Sequence, residues 1–326
     1  MLIRSMLAVL TAATMFGGAV RAQDGVKDYP NKPIRIIVGF AAGGIADLGA
    51  RLLGDHITRE TGQPVVVENR TAAAGTVAAL TVAKAPADGY TLGLVLSGQL
   101  VINPFVQKQM PFDVLKELLP VAALGEAPQM IAINAEVPAK TLKELVALAK
   151  AKPGSLNYGS AGHGSLPHLS AAEFARQAGI DMVHVPYKGN APATADLFAG
   201  RIQVLSSSIG GLQPGLDAGK TRLLLVATKA RLPYIPDVPT SAEAGIPNYL
   251  MTVWLGLVAP AGTPQPIVDR LHTLVQGMLK DPAMVKRLAG AAIEVMPMSQ
   301  PDFASFVKDE YARWQGIVKA AGVEPQ

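Results

Sequence analysis

The chain contains no cysteine. That excludes a disulfide framework and the lipid-bearing cysteine of a bacterial lipoprotein. Aromatic residues are few, at 5%, and no run of Lys or Arg interleaves with them. Nucleic acid is therefore not an expected partner. The formal net charge is +4, and Arg4 and Arg21 fall in a segment expected to be removed, so little excess charge remains. No run of eighteen apolar residues follows the N-terminal segment, so no transmembrane helix is expected. No G-x-x-x-x-G-K-[ST] motif occurs, and ATP is not implied. Gly162-His163-Gly164-Ser165-Leu166 lacks the nucleophile position of a G-x-S-x-G elbow. Gly159-Ser160-Ala161-Gly162-His163-Gly164 has the wrong spacing for a dinucleotide fingerprint, and no acid ends the next strand. The five histidines, His56, His163, His168, His184 and His272, show no metal-ligand spacing with cysteine or a carboxylate. His163 reads as a solvated loop residue and His168 as a first-turn helix residue near a pocket. No metal, no cofactor and no catalytic set are expected.

What is present begins with length. At 326 residues, 49% of them hydrophobic, the chain can bury two cores. Residues 1–22 carry a basic Arg4, an apolar stretch from Met6 to Val20, and small residues Val20 and Ala22 at the cleavage positions. This predicts a secretory signal peptide and a mature protein in the bacterial periplasm.

The organising stretch is Ile34 to Leu53, IRIIVGFAAGGIADLGARLL. A β-branched run breaks at Gly39-Phe40-Ala41-Ala42-Gly43-Gly44 and resumes with Leu48, Leu52 and Leu53 at helical spacing. Strand, glycine turn and helix make an anion seat, because the helix N-terminus offers unpaired N–H groups and a positive dipole end. Gly43 and Gly44 are expected to supply positive φ or close approach there.

The pattern then repeats. Val65–Val67 predicts a strand leading to Thr71–Thr76, and Tyr90–Leu96 one ending at Ser97-Gly98-Gln99. After about Val121 it restarts, with strands at Met130–Asn134, Leu156–Tyr158, Met182–Val185, Ile202–Leu205 and Leu223–Ala227. Strands alternating with helices imply parallel sheets, whose ligands bind beyond the carboxyl ends of the strands. The segments AINAEVPAKTLKEL and GLVAPAGTPQPIVDRL echo each other and are read as the strands entering and leaving a middle domain. Phe303, Phe306, Tyr311 and Trp314 lie at helical spacing and are assigned to the core.

The loops concentrate neutral donors: Ser97, Ser160, Ser165 and Asn190. Ser165 also precedes a Pro-started helix and fits an N-cap, a role that shares its N–H groups with an anion seat. Asp47, in a first helical turn, complements the dipole or fixes its loop. Lys188 sits at a strand end.

The segments VGFAAGGIADLGARL, VENRTAAAGTVAA, ADGYTLGLVLSGQLVINP, LNYGSAGHGSLPHLSAAEF and HVPYKGNAPATADLFAGRIQ occur in that order. Together they resemble the substrate-binding receptors of tripartite tricarboxylate transporters, the Bug family. The resemblance implies an α/β, two-domain periplasmic binding protein of the Venus-flytrap type. Each domain would be a mostly parallel sheet flanked by helices, with the ligand cleft between domains. Residues 23–122 with 251–326 would form one domain and 123–250 the other. It further implies capture of a small organic carboxylate, delivery to the membrane components of the transporter, and no enzymatic activity. A monomer is expected. A ligand-sensing adaptor, or an enzyme acting on a small anion, are the alternative readings on the same fold.

By the resemblance, one domain holds the ligand with Phe40, Ala42, Gly43, Gly44 and Asp47, with Ala74, Gly75 and Thr76, and with Ser97, Gly98 and Gln99. The other closes with Ser160, Gly162, Gly164, Ser165 and His168, with Pro186, Tyr187, Lys188, Gly189 and Asn190, and with Ser207. The sequence departs from the family at Ala42 and Ala46, where Pro and a hydroxyl residue are usual. It departs again at Ser206-Ser207-Ser208, where many members place an Asp. An ammonium in a buried cleft needs a carboxylate partner. The expected ligand is therefore an acid without a free amino group, a dicarboxylate or an aromatic acid.

Overall fold

The computed structural model describes residues 28–325; the predicted signal segment lies outside the described residues. The first part of the chain runs β1 (Ile34–Val38), α1 (Ile45–Thr61), β2 (Val65–Asn69), α2 (Thr76–Ala83) and β3 (Thr91–Leu96). Three short helices follow, α3 (Ser97–Val101), α4 (Asn103–Val106) and α5 (Val114–Glu117), before the long β4 (Leu118–Pro128). A second unit comprises β5 (Met130–Asn134), α6 (Leu142–Ala151), β6 (Asn157–Ser160), α7 (Leu166–Ala178) and β7 (Val183–Pro186). It continues with α8 (Asn190–Phe198), β8 (Val204–Ser207), α9 (Ile209–Asp217) and β9 (Thr221–Val226). The chain ends with β10 (Thr252–Pro260), α10 (Gln265–Lys280), α11 (Pro282–Gly290), β11 (Glu294–Val295) and α12 (Gln300–Ala320).

Two sheets result, ordered β11-β4-β10-β3-β1-β2 and β7-β6-β8-β5-β9. Each, with its helices, is a lobe. The sequence pattern predicts mostly parallel sheets; both are mixed. In the first, β2, β1 and β3 run parallel, while β10 lies antiparallel between β3 and β4, and β11 pairs antiparallel with β4. In the second, β7, β6 and β8 run parallel, while β5 lies antiparallel between β8 and β9.

The reversal follows from the crossings. Strand β4 runs in the direction of β1–β3, leaves the first sheet at their carboxyl edge and passes straight into β5. A strand that enters the second sheet at its own carboxyl edge must run against β6–β8. The same holds for β10 on the way back. The echoing segments thus carry a reversed strand in each sheet, β5 and β10, and these do not pair with one another. The crossings are tied together: Gln129 N–H donates to Met251 O at 2.8 Å, Met251 N–H to Ala227 O at 3.1 Å, and Ala227 N–H to Gln129 O at 2.9 Å.

Burial explains the strand compositions. Ile34, Ile36, Ile37 and Val38 are buried, and only Arg35 of β1 is exposed, because helices cover both faces. One apolar cluster passes through the crossing, joining Trp254 and Phe303 of lobe one to Phe174 and Tyr249 of lobe two. Helix α12 supports both lobes. Its Trp314 is fully buried, with Nε1–H donating to Glu310 at 3.1 Å, and its Tyr311 ring meets Phe105 at 4.7 Å. Phe303 and Trp314 are core, as the helical spacing predicts. Among the described residues no helix is long and apolar enough to cross a membrane.

Candidate functional site

The parallel strands deliver their loops to one edge of each sheet. In lobe one the loop after β1 is fixed by Asp47. Its Oδ2 accepts from Gly43 N–H at 2.9 Å and Arg51 Nε at 2.9 Å. Its Oδ1 accepts from Arg51 Nη2 at 2.9 Å and Asn69 Nδ2 at 3.0 Å. Asn69 also donates to Phe40 O at 2.9 Å, which binds the first loop to the end of β2. Arg51's hydrogen bond, with help from Gly43 and Asn69, lowers the Asp47 pKa to about 2. Asp47 is buried and every oxygen is engaged. It shapes the seat and does not face a ligand.

The glycine pair divides its roles. Gly43 takes φ +84°, and its N–H is spent on Asp47. Gly44 is extended, with φ −77° and ψ 171°, and a Cβ there would meet nothing closer than Ala41 O at 3.4 Å. The expectation of positive φ at Gly44 is therefore corrected: only Gly43 takes the left-handed backbone that favours glycine. Gly44 is the N-cap of α1 and has no side-chain cap, which leaves first-turn N–H groups open beside exposed Ala42.

The loop after β2 is more strained. Ala73 (φ 48°), Ala74 (φ 51°) and Gly75 (φ 85°) are left-handed in succession. For alanine this costs on the order of 1–3 kcal/mol per residue. The strain is held by side chains that grip the carbonyls: Gln107 donates to Ala73 O, Asn103 to Ala74 O and Gln99 to Gly75 O. The Thr76 hydroxyl lies inside this network, accepting from Asn103 and Gln107. Thr76 and Gln99 are 3% and 1% exposed, so their side chains are scaffold and not ligand donors. Gln99 Oε1 also accepts from Leu96 N–H. Ser97 differs: its Oγ is buried with no hydrogen-bond partner among the described residues, next to Gly98, around which space is open.

In lobe two the loop after β6 is closed on itself. Ser160 Oγ and Ser165 Oγ both donate to Gly162 O, at 3.1 and 2.6 Å, and Gly162 N–H donates back to Ser160 Oγ at 3.1 Å. Ser165 caps α7, its Oγ accepting from His168 N–H at 3.4 Å. Gly164 donates its N–H to His168 Nδ1 at 3.1 Å, and a Cβ on Gly164 would lie 3.1 Å from Val106 of lobe one. The two lobes therefore meet at this loop.

Ser160 Oγ lies 2.7 Å from His184 Nε2. The pair is no nucleophile and base. Ser160 is fully buried, and its hydroxyl donates to a backbone carbonyl. His168 and His184 are lowered to about 4, by burial first and then by neighbouring imidazoles.

The remaining loops complete the edge. Pro186 ends β7, Tyr187 Oη donates to Asp196 at 2.7 Å, and Lys188 is exposed. Gly189 (φ 112°) is the uncapped N-cap of α8, and Asn190 Nδ2 donates to Ser207 Oγ at 3.2 Å. Ser206 does not replace the missing Asp as a cleft group. It is buried with Ser170 Oγ at 2.7 Å, and Ser170 in turn meets Tyr249 Oη at 2.7 Å.

Helices α1, α2, α8 and α9, which follow parallel strands, have no side-chain cap, whereas α7 at the same edge is capped by Ser165. Away from the edge α6, α11 and α12 are capped by Thr141, Asp281 and Ser299, and α10, behind Pro264, is not. Open N–H groups from both lobes therefore gather where a ligand would lie, an arrangement that suits an anion. A separate cavity of about 620 Å³ lies at the crossing, lined by Glu126, Lys229, Glu294, Glu310 and Arg313, and takes no residue from these loops.

Sequence reasoning missed Asn69, Asn103 and Gln107, which fix the loops, and the approach of His163 and His184 to His168. Asp47 fixes its loop as one of its two expected roles had it, and the i,i+4 spacing to Arg51 is a signal that could have named its partner.

Two mixed α/β sheets joined by crossing strands, with ligand loops on facing edges, define a periplasmic binding protein. The family profile described as tripartite tricarboxylate transporter family receptor matches residues 49–323, and the chain belongs to that family. It is 32% identical over 297 residues to BugT of Bordetella pertussis, covering 91% of each chain. A Pseudomonas sp. (strain P51) protein, the UPF0065 protein of the tcbD-tcbE intergenic region, is 34% identical over 308 residues, covering 94% of this chain and 91% of that one. Among solved structures, an adipate-bound protein of R. palustris superposes with TM-score 0.78 at 34% identity, covering 91% of this chain and all of that one. MatC from Rhodopseudomonas palustris, with bound malate, gives TM-score 0.73 at 32% identity, covering 89% and 100%. The family is one of carboxylate-binding receptors of the Bug type and not of enzymes.

Proposed function

We propose that this protein is an extracytoplasmic receptor that captures a dicarboxylate or aromatic acid between its lobes and delivers it to a tripartite tricarboxylate-type membrane transporter. The observation that carries this reading is the gathering of uncapped helix N-termini at the facing loop edges of both sheets. The adipate and malate held by its relatives are acids of the same class. The two carboxylates near the loops support an acid without an amino group. Asp47 is engaged with Arg51, Gly43 and Asn69, and Asp196 with Tyr187 and Arg201. Neither is free to balance an ammonium.

The lobes are taken as residues 23–122 with 251–326, and residues 123–250. Sheet membership supports the return near residue 250, while β4 stays in the first sheet to Pro128, which favours an outgoing crossing at about Gln129 over one at 122. The working location is the periplasm, reached by removal of residues 1–22, and mature protein from a periplasmic fraction should begin at or near Gln23.

The test is a thermal-shift screen of the mature protein against adipate, malate, benzoate, aspartate and glutamate. A ligand at a hundredfold excess over Kd adds about 2.7 kcal/mol to stability. Stabilisation by the non-amino acids is the expected result. Tight binding of aspartate or glutamate alone would overturn the ligand class.

A further inference from the structure

Three imidazoles from separate segments of lobe two meet beside the Ser160–Ser165 loop. Four rings cluster there, Tyr158, His184, His168 and His163, with successive centroids 5.0, 3.9 and 5.0 Å apart. Tyr158 is buried and His163 is exposed. One ligating nitrogen of each histidine lies within 4.8 Å of those of the other two. The parallel pairing of β6 with β7 brings this about, since it sets Tyr158 opposite His184.

We propose that His163, His168 and His184 bind a divalent transition-metal ion of the zinc type. Imidazole nitrogen suits Zn²⁺, Ni²⁺ and Cu²⁺ and not the hard ions Mg²⁺ or Ca²⁺. Among the described residues no carboxylate bonds these rings; a hydroxyl and a backbone N–H do. Ser160 Oγ lies 2.7 Å from His184 Nε2 and holds that side of the ring. In the tautomer with the proton on Nε2, donated to Ser160, His184 Nδ1 keeps its lone pair for a metal and the opposite nitrogen orients the ring, the arrangement metal-binding histidines use. His163, exposed, turns without disturbing the core.

One rearrangement is needed. His168 and His184 are 8° from parallel at 3.9 Å, and lone pairs lie in the ring planes, so both rings cannot aim at one point as they stand. His168 must turn and release Gly164 N–H, its present partner at Nδ1. A tetrahedral ion with bonds of about 2.0–2.1 Å needs nitrogens roughly 3.4 Å apart. The nitrogens must therefore draw in from within 4.8 Å. Three protein ligands leave a fourth position for water or for an oxygen of a bound acid.

The test uses untagged mature protein stripped with a chelator, in buffer free of carboxylates, so its outcome does not depend on the acid the receptor carries. Zn²⁺ is titrated by calorimetry, and Co²⁺ by the visible band of a four-coordinate site. One ion per chain with Kd in the micromolar range or tighter is expected. His163→Ala, at an exposed position, should weaken Zn²⁺ at least tenfold with unchanged circular dichroism, and His184→Gln should do the same. Cu²⁺ bound to the wild type should show nitrogen hyperfine structure in its EPR spectrum. Absence of Zn²⁺ binding below millimolar, or Zn²⁺ binding unchanged in His163→Ala, overturns the proposal and leaves a purely structural stack.

Discussion

Gly39 and Gly75 cross with no room for a side chain on either. A Cβ built on Gly39 would lie 2.7 Å from Gly75 Cα, and both glycines would drive a Cβ to 2.7 Å from Gln99 Nε2. The crossing locks the loop after β1 against the loop after β2, and Gln99 bolts it by donating to Gly75 O at 2.9 Å.

The first prediction separates glycines that the fold needs from one that the ligand needs. Gly75→Ala places a methyl on a left-handed residue and into the Gln99 side chain. It should destabilise by about 2–4 kcal/mol in urea unfolding. Gly44→Val adds bulk at an extended residue where a Cβ meets only Ala41 O, at an ordinary contact of 3.4 Å. It should fold like the wild type, yet lose the acid that stabilises the wild type. Wild-type affinity in folded Gly44→Val would mean that the α1 N-terminus is a turn and no seat.

The second prediction concerns acid. The folded pKa of Asp47, about 2, lies below its ordinary value near 4. A depressed carboxyl contributes stability that is complete above the unfolded pKa and is lost as pH falls toward the folded one. Wild type and Asp47→Asn should therefore differ in unfolding free energy at pH 6 and converge between about pH 4 and pH 2. A constant difference across that window would mean that the charge of Asp47 does not hold the loop. Asp47→Ala should cost about 1–3 kcal/mol at neutral pH, because Gly43, Arg51 and Asn69 all lose a partner.

The third prediction follows from the crossings. Three hydrogen-bonded segments at Gln129, Ala227 and Met251 connect two lobes that also touch at Gly164 and Val106. Such a connection permits hinge rotation. Solution scattering should show a smaller radius of gyration with saturating acid than without it. An unchanged radius would argue against closure.

The legible and illegible parts of this fold divide on physical grounds. Strands β1 and β2 announce themselves by β-branched runs and β3 by a short apolar one, each ending in a glycine or polar loop, and the loop order follows from them. Strand β4 does not, because LLPVAALGEAP has neither alternation nor β-branched density; its neighbours bury it. Gly125 within it admits β11, where a Cβ would lie 2.6 Å from Glu294 O. The antiparallel strands were hidden because direction is decided by where a chain crosses between lobes, which no local window contains. The site shows the same split. Loop positions were readable, but whether a hydroxyl or amide faces a ligand or a neighbouring carbonyl depends on distant partners. Thr76 is committed by Asn103 and Gln107, 27 and 31 residues away. His163, His168 and His184 converge only through strand register.

The last prediction turns on two serines with opposite accounts. Ser165 caps α7 and donates to Gly162 O, so both capacities of its hydroxyl are used within lobe two. Ser165→Ala should cost about 1 kcal/mol of stability, the usual loss of a cap, and move acid affinity little. Ser97 Oγ is buried at the end of β3 with no partner among the described residues. An unsatisfied buried hydroxyl destabilises the free protein, and its removal there should leave stability unchanged or raise it by up to about 1 kcal/mol. If that hydroxyl waits for a ligand oxygen, Ser97→Ala should bind the acid roughly tenfold more weakly, matching one hydrogen bond to a charged group. Chemical unfolding and calorimetry on the same two variants supply both readouts. The crossed pattern, stability lost at Ser165 and affinity lost at Ser97, is the expected result. Loss of stability without loss of affinity in Ser97→Ala would show that the hydroxyl serves the lobe and not the ligand.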